Sequence, residues 1–127
     1  KLEVLTAMTI LVKNAYETPT RSDGFRVLVD RIWPRGLAMQ TLQVSDWLSC
    51  LAPSKSLRKW FNHDPGKWEG FKKQYCSELD QHKTEIRSLL EDATADEITL
   101  VYSSKNAYYN NAVALKEYID DLEPTSS

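Results

Sequence analysis

Three short apolar runs without polar alternation, Thr9-Ile-Leu-Val12, Arg26-Val-Leu-Val29 and Ile98-Thr-Leu-Val-Tyr102, constrain this chain more than any other feature. A strand with one wet face alternates apolar and polar residues, whereas a strand buried on both faces does not, and such strands belong to parallel sheets covered by helices. Helical spacing fills the interval between the second and third runs and resumes after the third. The order strand, strand, helices, strand, helix predicts an α/β fold: a small, mostly parallel central sheet flanked by helices, with right-handed crossovers. The chain has 127 residues, which suits a single domain over 8–122 with a core that needs no disulfide or metal. Lys1 to Ala7 precede the first methionine, Met8, and are expected to be a vector remnant or disordered; Glu123 to Ser127 read as a frayed tail.

Local signals place the remaining elements. Glu17 to Gly24 is too rich in turn formers for a helix, and Asp23-Gly24 predicts a turn. A short helix is expected from near Ser45, carrying Trp47, Leu48 and Leu51 inward until Pro53 stops it, and Ser54 should cap another with Leu57, Trp60 and Phe61 on its apolar side. Asp64-Pro65 is a strong helix start. The helix beyond it, about Pro65–Glu91, should be the longest, because Trp68, Phe71, Tyr75, Leu79, His82, Ile86 and Leu89 recur every three or four residues. Asn110 or Asn111 is expected to cap a last helix that buries Ala112, Leu115, Ile119 and Leu122.

The second run ends in Val29-Asp-Arg-Ile-Trp-Pro-Arg-Gly36, an unusual way to close a structural strand. Ligands bind at the carboxyl ends of strands in α/β sheets, and guanidinium forks suit phosphate, sulfate or carboxylate. If the second and third runs are parallel, Arg31, Arg35 and Lys105 emerge at one edge, beside Ser103, Ser104 and a helix N-terminus at Asn110 and Asn111 that favours an anion. The bland alternatives are salt links from Arg31 or Arg35 to Asp30 or the long helix, and strand termini that merely satisfy their own hydrogen bonds. Trp33 either stacks on a ligand or, as the more common role, wedges its loop. Tyr102 and Asp30 are conceivable proton carriers, but no nucleophile and base stand together in the sequence, so catalytic residues are unassigned.

Other classes are disfavoured. His63 adjoins a cap and His82 lies on an apolar face; with Cys50 and Cys76 far apart and no ligand spacing, neither a metal nor a cofactor is expected, and both thiols should be reduced. No apolar run approaches the roughly 20 residues of a membrane span, so the expected location is the cytoplasm. Charge is uneven: Ser54 to Tyr75 holds Lys55, Arg58, Lys59, Lys67, Lys72 and Lys73 against Asp64 and Glu69, while Glu78 to Glu97 is acidic. Lysines interleaved with aromatics can serve single-stranded nucleic acid, yet the helical spacing turns the aromatics inward and the net charge of −2 does not favour that partner.

Ser22-Asp-Gly24, Val29 to Gly36, Ala52-Pro-Ser54, Leu57-Arg-Lys-Trp-Phe61, His63-Asp-Pro65, Tyr102-Ser-Ser-Lys-Asn106 and Asn110-Asn-Ala-Val113 occur in this order. Together they resemble the YeaO-like family of small uncharacterised bacterial proteins, from Met8 to Leu122. The resemblance implies a domain of unknown function. Related sequences often place histidine where this chain has Tyr109, so a proton-transfer role there does not carry over. The leading expectation is an anion-binding protein or enzyme that holds a small anion at the strand ends; the alternative is a non-catalytic nucleic-acid or protein interaction module using Lys55 to Lys73. Oligomeric state is not legible.

Overall fold

The computed structural model describes residues 8–93 and 96–122. The leader and the tail set aside above lie outside the described residues. Strands β1 (Thr9–Asn14), β2 (Phe25–Leu28), β3 (Asp46–Trp47) and β4 (Glu97–Tyr102) form one sheet in the order β1-β4-β2-β3. Every pairing is parallel, with Ile98 opposite Ile10 on one side and Phe25 on the other. The α/β expectation therefore holds; two of the three apolar runs without alternation are the central strands β2 and β4, and the third, β1, lies at an edge.

Pleating divides those runs between two cores. Ile10, Val27, Val29, Ile98, Leu100 and Tyr102 face the helices and join the main core. Leu28 and Val101 face the other way, into a smaller cluster with Ala15 and Leu42, flanked by Trp33, Leu37 and Val44. That second face also holds Arg26, buried beside Asp23: its Nη1 lies 2.7 Å from Asp23 Oδ2, and Nη2 donates to the Leu42 carbonyl at 2.7 Å. Lys13 Nζ completes the group at 3.1 Å from Asp23 Oδ1. Gly24, at φ +66°, lets this corner pass β4, where an added Cβ would stand 2.3 Å from the Glu97 carbonyl oxygen.

Helices α1 (Met39–Leu42), α2 (Lys55–Phe61), α3 (Trp68–Leu79), α4 (Lys83–Asp92) and α5 (Asn111–Leu122) complete the fold. The long helical run is present from Pro65 to Asp92, with a 3-10 turn at its start and another at Asp80–His82 that divides it into α3 and α4. Its face is as expected: Trp68, Phe71, Tyr75, Leu79, Ile86 and Leu89 are buried. The Ser54, Asp64 and Asn110 side chains accept from the Leu57, Gly66 and Val113 amides, so all three caps form. Among the described residues no helix is long and apolar enough to cross a membrane.

Three expectations are corrected, the simplest at the end of α5, where Leu122 is exposed rather than buried. No helix starts at Ser45; Ser45 N donates to the Arg26 carbonyl and Leu48 N to that of Leu28, making this segment an edge strand, followed by a 3-10 turn at Ser49–Leu51. Leu51 is buried, but Trp47 is 42% exposed. The open edge of β2 captures the segment, and helical spacing carries no information about a long-range partner. Trp60, expected on the apolar side of α2, is likewise 41% exposed.

Candidate functional site

Val29 prolongs β2 by donating to the Val101 carbonyl, and this brings Asp30 beside the end of β4. Its Oδ2 accepts from Ser103 N at 2.9 Å and Ser103 Oγ at 2.7 Å, while Oδ1 accepts from Asn111 Nδ2 at 3.0 Å. Asn111 Nδ2 also donates to the Val29 carbonyl. One carboxylate thus ties together the ends of two parallel strands and the start of α5. Donation from a backbone amide and a hydroxyl to a charged acceptor makes this a firm joint.

Over this joint opens a cavity of about 470 Å³. Arg31, Lys55, Arg58 and Lys59 line it; the aromatic surface comes from Phe61, Phe71 and Tyr109, and Asp30 is its one carboxylate. Among the described residues none of the four cations forms an ion pair. Arg31 is held instead by carbonyls, its Nη2 donating to Pro53 O at 3.1 Å and Ala52 O at 3.5 Å. Leu57 and Phe61 anchor α2 in the core, so the i, i+3 and i+4 positions Lys55, Arg58 and Lys59 fall together on its outer side. Asn62 and His63, at φ +48° and +56°, follow α2 in consecutive left-handed conformations and line the cavity. Such backbone costs on the order of 1 kcal/mol per residue and is held by its surroundings.

A family model described as the inactive DUF488-N3 subclade matches residues 9–126. The chain belongs to this family. The YeaO-like resemblance is borne out as well: the uncharacterized protein YeaO of Escherichia coli (strain K12) is 38% identical over 115 residues, 91% of this chain and 100% of its own length. The uncharacterized protein Rv3073c of Mycobacterium tuberculosis (strain ATCC 25618 / H37Rv) is 33% identical over 112 residues, 87% of this chain and 93% of its own. No solved structure matches.

In this DUF488-N3 chain, Arg31, Ser103, Ser104, Asn110 and Asn111 line the cavity as a group, but Trp33, Arg35 and Lys105 do not. The three-cation cluster read from the sequence is therefore replaced by a different one. Trp33 turns its loop onto the second face of the sheet: it packs with the Leu28 and Val101 cluster, meets Trp47 edge-on at 5.5 Å, and donates from Nε1 to the Leu37 carbonyl at 2.6 Å. Trp33 is the wedge, and it carries Arg35 away with it. Lys105 is exposed in a turn drawn toward β1, where Asn14 Nδ2 donates to the Ser104 carbonyl at 2.8 Å. The N-terminus of α5 is closed by Asn110, whose Oδ1 accepts from Val113 N at 2.9 Å, so it leaves little for an anion. Ser103, bonded to Asp30, fits the satisfied strand end that was the bland alternative.

Sequence reasoning assigned Lys55, Arg58 and Lys59 to a separate surface. The i, i+3, i+4 spacing was the signal that they share a face; which site that face overlooks was not encoded locally. The rest of the basic segment diverges. Lys67 Nζ donates to the Trp60 carbonyl and lies 5.1 Å from the Trp60 ring centroid. Lys72 pairs with Glu117 at 3.1 Å, and that bond raises its pKa. Tyr109 packs edge-on against Trp68 at 5.3 Å. Burial pushes the Tyr102 phenol up, away from ready proton exchange.

Proposed function

We propose that this DUF488-N3 protein binds a small organic anion bearing phosphate or carboxylate at the carboxyl end of its sheet, and holds it without turning it over. The observation that carries this reading is the charge imbalance of the cavity: four cationic side chains, none of them ion-paired among the described residues, face one carboxylate, and the oxygens of that carboxylate already accept three hydrogen bonds. The volume of about 470 Å³ suits a metabolite-sized ligand, and the mix of aromatic wall and cationic rim suits one with a planar or apolar body. The position agrees with the rule that open α/β sheets bind ligands beyond the strand ends. Binding without turnover accords with the description of the subclade as inactive.

Thermal melting against a panel of phosphates, nucleotides, sulfate and dicarboxylates tests this. One class should raise Tm saturably, an excess of 100 Kd corresponding to about 2.7 kcal/mol of stabilisation. Arg31→Ala and Arg58→Ala should weaken the effect at least about tenfold, as loss of a charged hydrogen bond does, while Arg35→Ala and Lys105→Ala leave it intact. A flat panel refutes the reading. Salt-sensitive oligonucleotide binding that survives Arg31→Ala but is lost in Lys73→Ala would favour the interaction module instead.

A further inference from the structure

A second cluster of chemically reactive side chains stands apart from Asp30, where the turn after β3 meets the joint between α3 and α4. Leu51 is fully buried, and the Tyr75 hydroxyl donates to its carbonyl, which pins the Ser49–Leu51 turn to α3 and sets Cys50 against the joint. His82 ends the 3-10 turn at φ −124°, ψ 26°, and Glu85 follows one helical turn later on α4. Fully buried Leu79 and Ile86 fix both sides of this joint in the core. The Cys50 sulfur, a His82 ring nitrogen and a Glu85 carboxylate oxygen consequently lie within 4.8 Å of one another.

An independent observation points into this cluster. His82 Nδ1 is sealed from solvent yet has no hydrogen-bond partner, the only such side-chain atom among the described residues. Glu85 Oε1, 3.7 Å away, is too far to satisfy it. A buried ring nitrogen without a partner costs on the order of 1–3 kcal/mol, unless something else occupies its lone pair. We propose that Cys50, His82 and Glu85 form a Zn²⁺ site, with water at the fourth position.

The donor set fits. Thiolate, imidazole and carboxylate together select a borderline first-row dication over Mg²⁺ or Ca²⁺, which take oxygen ligands. Zinc bonds of about 2.0–2.3 Å place tetrahedral ligands some 3.3–3.6 Å apart. The observed 3.7 Å and the 4.8 Å limit therefore need only closure by rotamer adjustment. The His82 and Glu85 side chains remain 34% and 44% exposed, which leaves a route for the ion and its water. Without metal, burial and then the Glu85 charge push the Cys50 thiol up; a dication offsets that repulsion, and on binding the thiol proton leaves to solvent. Arg31, which lines the neighbouring cavity of about 270 Å³, opposes the cation, while Asp46 and Glu78 on the same side favour it.

Two measurements on the whole chain test the site. Titration with Zn²⁺ should saturate at one ion, and Co²⁺ in its place should give a thiolate charge-transfer band. Cys50→Ser should abolish that band and weaken Zn²⁺ by at least about 100-fold, since even a partner behind a ligand is worth 10–100-fold, whereas Cys76→Ser should change neither. In the unmodified protein, Zn²⁺ should slow alkylation of Cys50 and spare Cys76, a readout that needs no variant. Absent Zn²⁺ binding, a Co²⁺ complex without the sulfur band, or equal alkylation of Cys50 with and without Zn²⁺ overturns the proposal, and leaves His82 and Glu85 as mere neighbours at the start of α4.

Discussion

Asp23 anchors the face of the sheet opposite the helices, and replacing it with asparagine is the sharpest test of how that face is held. Burial by itself would push this carboxyl up. Hydrogen bonds from the Thr20 amide, Lys13, the Thr20 hydroxyl and Arg26 overcome that effect and hold it down to about 2, against an ordinary 3.8. Holding the carboxyl at about 2 instead of 3.8 corresponds to about 2 kcal/mol of stability at neutral pH. Because the folded-state value lies below the unfolded one, this contribution is complete above about pH 4 and fades as pH falls toward 2. Asp23→Asn also strands the Arg26 guanidinium, only 4% exposed, and a buried charge deprived of its partner costs about 3–5 kcal/mol. Urea denaturation at pH 7 should therefore show a loss of about 3 kcal/mol or more, a large share of the 5–15 kcal/mol typical of a domain. The gap between the two proteins should narrow as pH falls from about 4 to 2. A loss under about 1 kcal/mol at pH 7, or a gap that stays constant with pH, would refute the electrostatic account.

Gly24→Ala should cost about 3 kcal/mol or more, combining strain at φ +66° with a Cβ 2.3 Å from backbone that belongs to the central strand; calorimetry should find Tm lowered by on the order of 10 °C. Asp30→Asn keeps the shape but replaces a charged acceptor that serves Ser103 and Asn111, so it should lose about 2 kcal/mol. Amide exchange at Ser103 should quicken in that variant, and an unchanged rate would show that the joint is not held by the carboxylate.

Much of the scaffold was legible because its signals are local. The caps at Ser54, Asp64 and Asn110 need only one side chain and an amide two or three residues on. The buried face of the Pro65–Asp92 run follows from helical period alone, and Asp23-Gly24 marks a turn, where the structure places Gly24 at a positive φ that favours glycine. The missed strand at Asp46–Trp47 shows the limit: two residues gain their structure from an edge contributed by Arg26 and Leu28, nearly twenty positions away.

The candidate site divides the same way. By itself the sequence pointed to buried strands at β2 and β4 and, on condition that they run parallel, to Arg31, Arg35, Lys105, Ser103, Ser104, Asn110 and Asn111 at one edge, because hydrophobic period fixes which residues leave a sheet together. Only the tertiary structure decided that Trp33 packs on the second face and removes Arg35, that the cations of α2 take its place, and that Cys50 meets His82 and Glu85 across the α3 and α4 joint. Those outcomes depend on which bulky side chain finds a hydrophobic partner across the chain, and close packing over long sequence separations leaves no periodic trace in the residues it brings together.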